Sequence, residues 1–361
     1  MACRKFDAQV VHTPIDSPRG KLLEQFVCAR ITDMTGVDIA LFDYDRHNAL
    51  YYFAMNTDEH IYLRYGGRDE RSPEVYLNLE SLELALAKGL ELHERYVAEN
   101  PPGTKRPEPR FPGDIPMLKQ EVVNWGRCVE CHLIRDYELL EKEYDGTLNR
   151  FEDLFRYPDV RRIGIELDVP KGLVVLEATG AVAEAGMQAG DTIAAINGQP
   201  VYTFADLQHY YDKVPKNAKT IALKVERGGE EHDLTVTLPD EWWYTDLYHR
   251  YMTVDPNRYF SSRPLTTDEQ AALGLDPEGF ASEVTHVDPA AQVYMLHTLQ
   301  EGDIVYSVDG VETKRITKRL DMHIKISLES GSSFKAGVIR DGEKMETTVG
   351  TYREHLRKPE V

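Results

Sequence analysis

The sequence has 361 residues, of which 42% are hydrophobic and 29% charged, so it is long enough for several folded domains. A formal net charge of −19 argues against a nucleic-acid or anionic-membrane partner, because both need a basic protein face. The chain has no run of about 18 apolar residues, so no membrane-spanning helix is expected.

The first hundred residues contain short strand-like runs and one long helical pattern. The run Phe26–Ile31 predicts a buried strand, with Cys28 as a core thiol. The apolar runs at 50–55 and 60–65, separated by turn-forming residues, predict a β-hairpin. Ser81 is a suitable N-cap for the helix that follows.

The runs Cys3–Phe6, Phe26–Ile31 and Leu50–Asn56 together resemble a bacterial thioredoxin-like family. In that family C-x-x-C opens the first long helix. Its exported members add a C-x-x-C-H segment and PDZ repeats, and some replace the first thiol with selenocysteine. The resemblance implies that Cys3 is the surviving catalytic thiol of a thiol or selenol oxidoreductase. It also implies that the other redox residue, the first strand and an export signal lie upstream of Met1.

Two observations bear on that implied activity. Thioredoxins have a cis-proline before the strand that faces the redox pair, and residues 45–49 contain no proline, which argues against thiol exchange. The alternative for Cys3 is a terminal thiol with no role. A disulfide between Cys3 and Cys28 cannot be judged from sequence, since it depends on the distance between them.

The most specific motif is Cys128-Val129-Glu130-Cys131-His132, a C-x-x-C-H run in a chain with four cysteines. Its chance occurrence is roughly 0.1%. The pattern is typical of covalent haem c, with Cys128 and Cys131 as thioether tethers and His132 as the iron ligand. Met117 is the candidate sixth ligand, although a buried core methionine is the more frequent outcome. A zinc site, a redox dithiol and a structural cysteine pair remain alternatives.

The second half of the chain contains an internal repeat with an offset of about 112 residues. The repeated pairs are Gly190-Asp191 with Gly302-Asp303, Asn197-Gly198 with Asp309-Gly310, and Arg227–Glu230 with Arg340–Glu343. In the first copy, Thr203-x-x-Asp206 predicts the start of a helix that carries Phe204, Leu207, Tyr211 and Val214 on one face. Two copies of one structural unit are therefore expected.

Residues 185–191 and 196–198 resemble the core of the PDZ domain, in the arrangement found in bacterial periplasmic proteases. The resemblance covers 158–240 closely and 262–352 more loosely. It implies that an extended peptide C-terminus binds as an added strand between a glycine-bearing loop and a helix. The implied peptide-binding residues are Arg162, Ile163, Gly164, Ile165, Leu207 and Tyr211. In the second copy Leu273-Gly274-Leu275 is the nearest matching loop, and a purely structural packing module is the alternative.

An aromatic connector lies between the two copies, with Trp242, Trp243, Tyr244, Tyr248 and Tyr251. Such a cluster is typical of contacts between domains, and it could also supply an apolar wall to a haem. Hydrolase signatures are absent from the sequence: it has no Gly-x-Ser-x-Gly, Gly-Asn-Ser-Gly-Gly, H-E-x-x-H or G-x-x-x-x-G-K motif. A protease is therefore not expected.

These observations predict an α+β multidomain chain. Its expected parts are a truncated thioredoxin-like α/β domain at 1–100, a proline-rich linker at 101–113, a short helical haem-type segment at 114–157, PDZ-like β-rich domains at 158–240 and 262–352, the connector at 241–261 and a tail at 353–361. The first functional hypothesis is an exported, periplasmic redox or electron-transfer protein that carries haem c and binds proteins through its PDZ domains. The alternatives are a PDZ scaffold that binds protein C-termini, with structural cysteines, and a thiol-disulfide oxidoreductase.

Overall fold

The computed structural model describes residues 2–48, 50–99, 101, 106–247, 250–314 and 316–353. The chain forms two compact units, one from Met1–Arg135 with Phe155–Thr245 and the other from Asp136–Leu154 with Asp246–Val361. The domain boundaries drawn from the sequence stay predictions, since these units group the chain differently. Among the described helices, none is long and apolar enough to cross a membrane.

The N-terminal part of the first unit is a β-hairpin with three helices. Its elements are α1 (Ala2–Val11), α2 (Pro18–Leu23), β1 (Tyr51–Met55), β2 (Ile61–Gly66) and α3 (Leu79–Glu99). The two strands are antiparallel, with Tyr51 opposite Gly66. Apolar side chains from α1, β2 and α3 form a shared core of Phe6, Leu63, Tyr65, Leu82 and Ala85. The predicted hairpin and helix are confirmed, but Ser81 is not the N-cap: the helix begins at Leu79, and the Ser81 backbone N–H donates to the side chain of Asn78 at 3.1 Å.

The strand expected at Phe26–Ile31 is wrong. These residues form no helix or strand, and both Val27 and Cys28 are exposed. A strand needs a hydrogen-bonded neighbour, and in the described residues the sheet here contains β1 and β2 alone. The buried-thiol prediction for Cys28 is therefore also wrong, and the thioredoxin-like assignment stays a prediction. The side chain of Cys3 lies outside the described residues.

Residues 114–153 contain short helices joined by non-helical stretches such as 126–130. They contain α4 (Pro116–Glu121), α5 (Cys131–Tyr144) and α6 (Arg150–Asp153). Asn149 caps α6 by accepting hydrogen bonds from the backbone N–H groups of Phe151 and Glu152, at 3.1 and 3.2 Å.

The first repeat belongs to the first unit and contains β3 (Ile165–Leu167), β4 (Val175–Ala178), α7 (Gly180–Glu184), β5 (Thr192–Ile196), β6 (Gln199–Pro200), α8 (Phe204–Asp212), β7 (Thr220–Arg227) and β8 (Glu230–Thr237). Strands β3 and β4 form a hairpin, and the other four form a sheet in the order β6-β5-β7-β8. The Thr203 hydroxyl caps α8 by accepting from the backbone N–H of Asp206 at 3.2 Å, as the sequence predicts. The predicted apolar face of α8 lies in the core.

The second repeat belongs to the second unit and contains β9 (Phe260–Pro264), α9 (Thr267–Ala272), β10 (Ser282–Val287), α10 (Ala290–Val293), β11 (Ile304–Val308), α11 (Leu320–Ser327), β12 (Ser333–Arg340) and β13 (Glu343–Gly350). Its strands form one sheet in the order β13-β12-β11-β10-β9. Leu273-Gly274-Leu275 follows α9 in the connection from β9 to β10. By position in the fold, the counterpart of the loop before β3 is the loop before β9, not this connection.

The repeated sequence pairs form the same contacts within each copy. Arg227 donates two hydrogen bonds to the Asp191 carboxylate, at 2.6 and 2.7 Å, and Arg340 donates two to Asp303 at 2.7 Å. Both aspartates are buried, at 1% and 2% exposed. Each pair ties the start of one central strand to the end of another, so the repeat seen in sequence is a repeated structural brace.

Candidate functional site

The loop before β3 is a tight turn closed by side-chain hydrogen bonds. Asp159 starts a 3-10 turn at Val160–Ile163 and accepts from the backbone N–H of Arg161 at 2.9 Å. Gly164 follows with φ of 97°, and a Cβ built there would lie 1.8 Å from the carbonyl oxygen of Thr179. The close backbone approach that requires glycine is therefore to Thr179 of the same domain.

Helix α8 is covered along its length. Six of its residues from Phe204 to His209 are buried, as is Tyr211, whose ring centre lies 4.8 Å from that of Trp242. An amphipathic surface helix normally keeps a polar face in water. Here the polar residues Asp206, Gln208 and His209 are buried as well, so something must cover the outer face.

The residues predicted to bind peptide mostly lie in the core of the first repeat. Ile163, Ile165, Leu207 and Tyr211 are at most 1% exposed and belong to one apolar cluster. Arg162 is exposed, and its guanidinium lies 4.7 Å from the centre of the Tyr244 ring. Contact with a peptide by any of these residues, and by Gly164, stays a prediction.

The outer face of α8 is covered by residues 67–76 of the same unit, which we call the covering segment. At Gly67 a Cβ would lie 2.7 Å from the Phe204 ring and 3.0 Å from Oε1 of Gln208. The Gln208 side-chain amide donates to the carbonyl oxygen of Arg68 at 2.8 Å. Gly67, Arg68 and Asp69 are buried, although Gly-Gly followed by charged residues is typical of a solvated turn.

Charged contacts join the covering segment to the loop before β3 and to β3 itself. The Asp69 carboxylate lies 3.4 Å from the guanidinium of Arg161, and the backbone N–H of Glu70 donates to Asp159 at 3.2 Å. Arg71 pairs with Glu166 of β3 at 3.0 Å and with Asp69 at 2.8 Å. The covering segment therefore contacts both β3 and α8.

The last residue of the covering segment is an aromatic anchor. The Tyr76 ring stacks on that of Phe204, with centres 3.3 Å apart, and Tyr76 is 4% exposed. Beyond it lies a cavity of about 270 Å³, lined by Tyr76, Leu84, Lys88, Leu173 and Phe204 among others. The covering segment could not be predicted from the sequence. Its composition indicates a loop, and no local sequence pattern shows whether a loop is buried.

Helix α8 also carries two buried titratable groups with opposite shifts. Burial raises the pKa of Asp206 from 3.8 to about 6, against the opposing effect of Arg64. Burial, with a smaller contribution from the nearby Arg64 and Lys213 cations, lowers the pKa of His209 from 6.5 to about 3. Asp206 accepts from the backbone N–H of Arg64 at 3.0 Å, which fixes β2 against the start of α8.

The C-x-x-C-H motif lies at the protein surface. Cys128 is exposed, Cys131 is half-buried at the first position of α5, and both are free thiols. The His132 side chain is 50% exposed and lies 3.5 Å from Glu130. Val129 is fully buried, and its N–H donates to Asp33 at 3.0 Å. Haem attachment stays a prediction, as does ligation by His132.

Two further predictions concern residues near that motif. Met117 is 2% exposed in α4, as expected of a core methionine. For zinc, the described residues contain no group of three or more His, Cys, Asp or Glu that could hold a metal ion.

The aromatic connector is not a single cluster. Trp242 belongs to the core of the first repeat, and the rings of Trp243 and Tyr244 each lie 5.2 Å from that of Phe155. Tyr251 is 57% exposed, and Tyr248 lies outside the described residues. The named rings thus belong mainly to one unit.

Comparison with known proteins decides what the first repeat is. Residues 161–238 match the PDZ domain family. The DegP-like periplasmic serine endoprotease of Pseudomonas savastanoi pv. phaseolicola is 31% identical over 186 residues, covering 49% of this chain and 36% of that protein. The periplasmic serine endoprotease DegP of Salmonella typhimurium is 26% identical over 156 residues, covering 43% and 30%. The PDZ domain of EpsC from Vibrio cholerae is 21% identical, covering 27% of this chain and 98% of that one, with a TM-score of 0.18.

These comparisons confirm the PDZ domain and correct the expected function. The chain spans about a third of the length of the curated relatives, 36% and 30%. The prediction of a redox or electron-transfer function is wrong, because the relatives that share this sequence are periplasmic serine endoproteases. The PDZ part of the resemblance is confirmed for residues 161–238, and for residues 262–352 it stays a prediction.

Proposed function

We propose that this chain recognises extended polypeptide through its PDZ domain and acts in the bacterial periplasm. The observation that carries the proposal is the edge of β3. Within the described residues β3 pairs with β4 alone, and one segment of polypeptide already contacts both β3 and α8. A PDZ domain binds peptide by adding a strand at such an edge, with side chains from a facing helix selecting the sequence. The periplasmic location follows that of the DegP relatives.

The charged residues of β3 and of the loop before it favour a ligand with a basic side chain near β3 and an acidic group near the loop. Glu166 of β3 is the anionic partner on one side, and Arg161 is the cationic partner on the other. Peptidase activity is no part of the proposal, because the 361 residues contain neither of the serine nucleophile motifs sought above.

The proposal is tested by selecting ligands for the full chain from a displayed library of ten-residue peptides. Selected peptides are then measured in solution with free and amidated carboxyl termini, which separates recognition of a chain end from recognition of an internal stretch. Glu166→Lys should weaken binding of peptides with a basic residue at least tenfold, because it places like charges together.

The matched control is Glu184→Lys, since Glu184 is also exposed and lies at the end of α7 in the same repeat. Equal losses in both variants would point to a general charge effect. The proposal would be contradicted if no peptide were selected, either by the wild-type chain or by variants that lack the contacts of the covering segment with β3 and α8.

A further inference from the structure

The groove proposed to bind peptide is already filled by the chain itself. The covering segment contacts the loop through Arg161, the strand through Glu166 and the helix through Phe204 and Gln208. We infer that residues 67–76 are an intramolecular ligand, which keeps the PDZ groove closed until a peptide of similar chemistry displaces it. This inference rests on the proposed function, and it names the regulation and ligand class of the same site.

The burial of the covering segment supports the inference. Asp69 is 1% exposed and Arg68 6%, although charged residues are rarely buried without a specific partner. The Asp69 carboxylate accepts from the backbone N–H groups of Arg71 and Ser72, at 2.8 and 3.0 Å, and from the Arg71 side chain. This network folds the segment into a compact turn whose carboxylate faces Arg161, so the segment occupies the groove through side-chain contacts, while within the described residues β3 pairs with β4 alone.

The occupant indicates what an outside ligand should contain. It has a carboxylate for Arg161, a cation for Glu166 and an aromatic ring for Phe204. Asp69 supplies its carboxylate from a side chain in mid-chain, so the matching ligand class is an internal acidic, basic and aromatic stretch. The Arg71 pair holds the segment only weakly, because it is partly exposed and exposed ion pairs contribute about 0–1 kcal/mol, whereas the buried Tyr76 ring anchors it.

The second unit has the same kind of cover. Lys325 of α11 is 8% exposed, and its ammonium group donates to the carbonyl oxygens of Leu247, at 3.0 Å, and Arg250. It also pairs with Asp255 at 2.9 Å. In each repeat, therefore, the helix that would form one wall of a groove is covered by chain from outside the repeat, from residues 67–76 in the first unit and from residues 247–255 in the second.

The test uses the full chain and a fluorescein-labelled peptide with the sequence of residues 66–77. Binding is followed by fluorescence anisotropy with the wild type and with Arg71→Ala and Tyr76→Ala. Arg71→Ala changes a half-exposed side chain and should fold, whereas Tyr76→Ala removes a buried ring. If the groove is closed 99% of the time, the wild-type affinity is about 100-fold weaker than that of an open groove. We expect at least tenfold tighter binding to Tyr76→Ala and about two- to fivefold tighter binding to Arg71→Ala, since an exposed ion pair contributes at most about 1 kcal/mol.

Arg95→Ala is the matched control, because Arg95 is also half exposed and paired, with Glu91 at 2.9 Å on α3. It should bind as weakly as the wild type. Amide exchange in residues 67–76, measured alongside, should rise in both opened variants. Unchanged exchange would overturn the inference, because these contacts would then not hold the segment. Equal peptide binding by all four proteins would overturn it too, while leaving peptide recognition intact. Faster amide exchange in residues 67–76 without any binding of the peptide would overturn both proposals.

Discussion

At the scale of single residues, Gly164 shows how a site residue can matter through the fold alone. The sequence suggested that this glycine lets a peptide backbone approach. In the structure its φ of 97° and its contact with Thr179 both serve the turn before β3. A loss of peptide binding in a Gly164 variant would therefore say little about peptide contact.

We predict that Gly164→Ala destabilises the first unit by about 3 kcal/mol or more, from the left-handed backbone and the clash together. Gly186→Ala is the control, since Gly186 has φ of 96° while a Cβ there meets only Leu234 Cδ2, at 3.9 Å. It should cost about 1–2 kcal/mol, from the backbone alone. Urea unfolding of the full-length variants measures both values, and equal costs would contradict the clash.

At the scale of elements, local sequence patterns were enough to predict those helices and strands whose partners lie close in sequence. The hairpin of β1 and β2 was recognised from its turn, and α8 from its capping threonine, because each is formed by residues close in sequence. The strand expected at Phe26–Ile31 failed for the opposite reason, since strand formation depends on a distant partner that sequence patterns do not reveal.

The candidate site shows the same division. The loop before β3 and helix α8 could be predicted as walls of a groove, because the PDZ pattern is carried by nearby residues. The covering segment could not be predicted, since Gly67 and Asp69 are buried only by tertiary contacts with α8 and Arg161. The C-x-x-C-H motif could be recognised from its spacing, but the spacing does not predict how far the motif is enclosed, and Cys128 and His132 are exposed.

The opposite pKa shifts on α8 make a pH prediction at this scale. His209 stays neutral in the fold down to about pH 3, so the unfolded chain binds the extra proton and stability rises with pH from about 3 to 6.5. Asp206, with its pKa near 6, binds a proton in the fold that the unfolded chain has released, so stability falls as pH rises from about 4 to 6. In that window the two effects oppose each other.

We therefore expect His209→Gln and Asp206→Asn to change the pH dependence of unfolding in opposite directions. Relative to the wild type, His209→Gln should add a slope of about −1.4 kcal/mol per pH unit between pH 4 and 6, and Asp206→Asn about the same with positive sign. Urea unfolding at half-unit pH steps gives both slopes. His286→Gln, at a 62% exposed side chain, is the control. Curves of unfolding free energy against pH that run parallel to the wild type would show that burial does not shift the pKa values of these two groups.

At the scale of the whole molecule, the two compact units have separate apolar cores. The largest cluster runs from Tyr76 to Trp242 and lies wholly within the first unit. A second cluster, from Phe260 to Val349, lies wholly within the second. Each unit also has its own buried brace, Arg227 with Asp191 or Arg340 with Asp303. Matched substitutions can therefore be made at equivalent points in the two repeats.

Arg227→Leu should destabilise the first unit and Arg340→Leu the second, each by about 2–4 kcal/mol, because each leaves a buried carboxylate without its charged partner. Amide hydrogen exchange reports on both units of each variant in a single experiment. Faster exchange should be confined to β5, β7, β8 and the covering segment in the first variant, and to β11, β12 and β13 in the second. Lys224→Leu, which breaks an exposed pair with Glu231, is the control and should change little. Since the covering segment packs on α8, its amides should also exchange faster in Arg227→Leu than in Arg340→Leu. Faster exchange across both units in either variant would instead mean that the whole chain unfolds as one cooperative body.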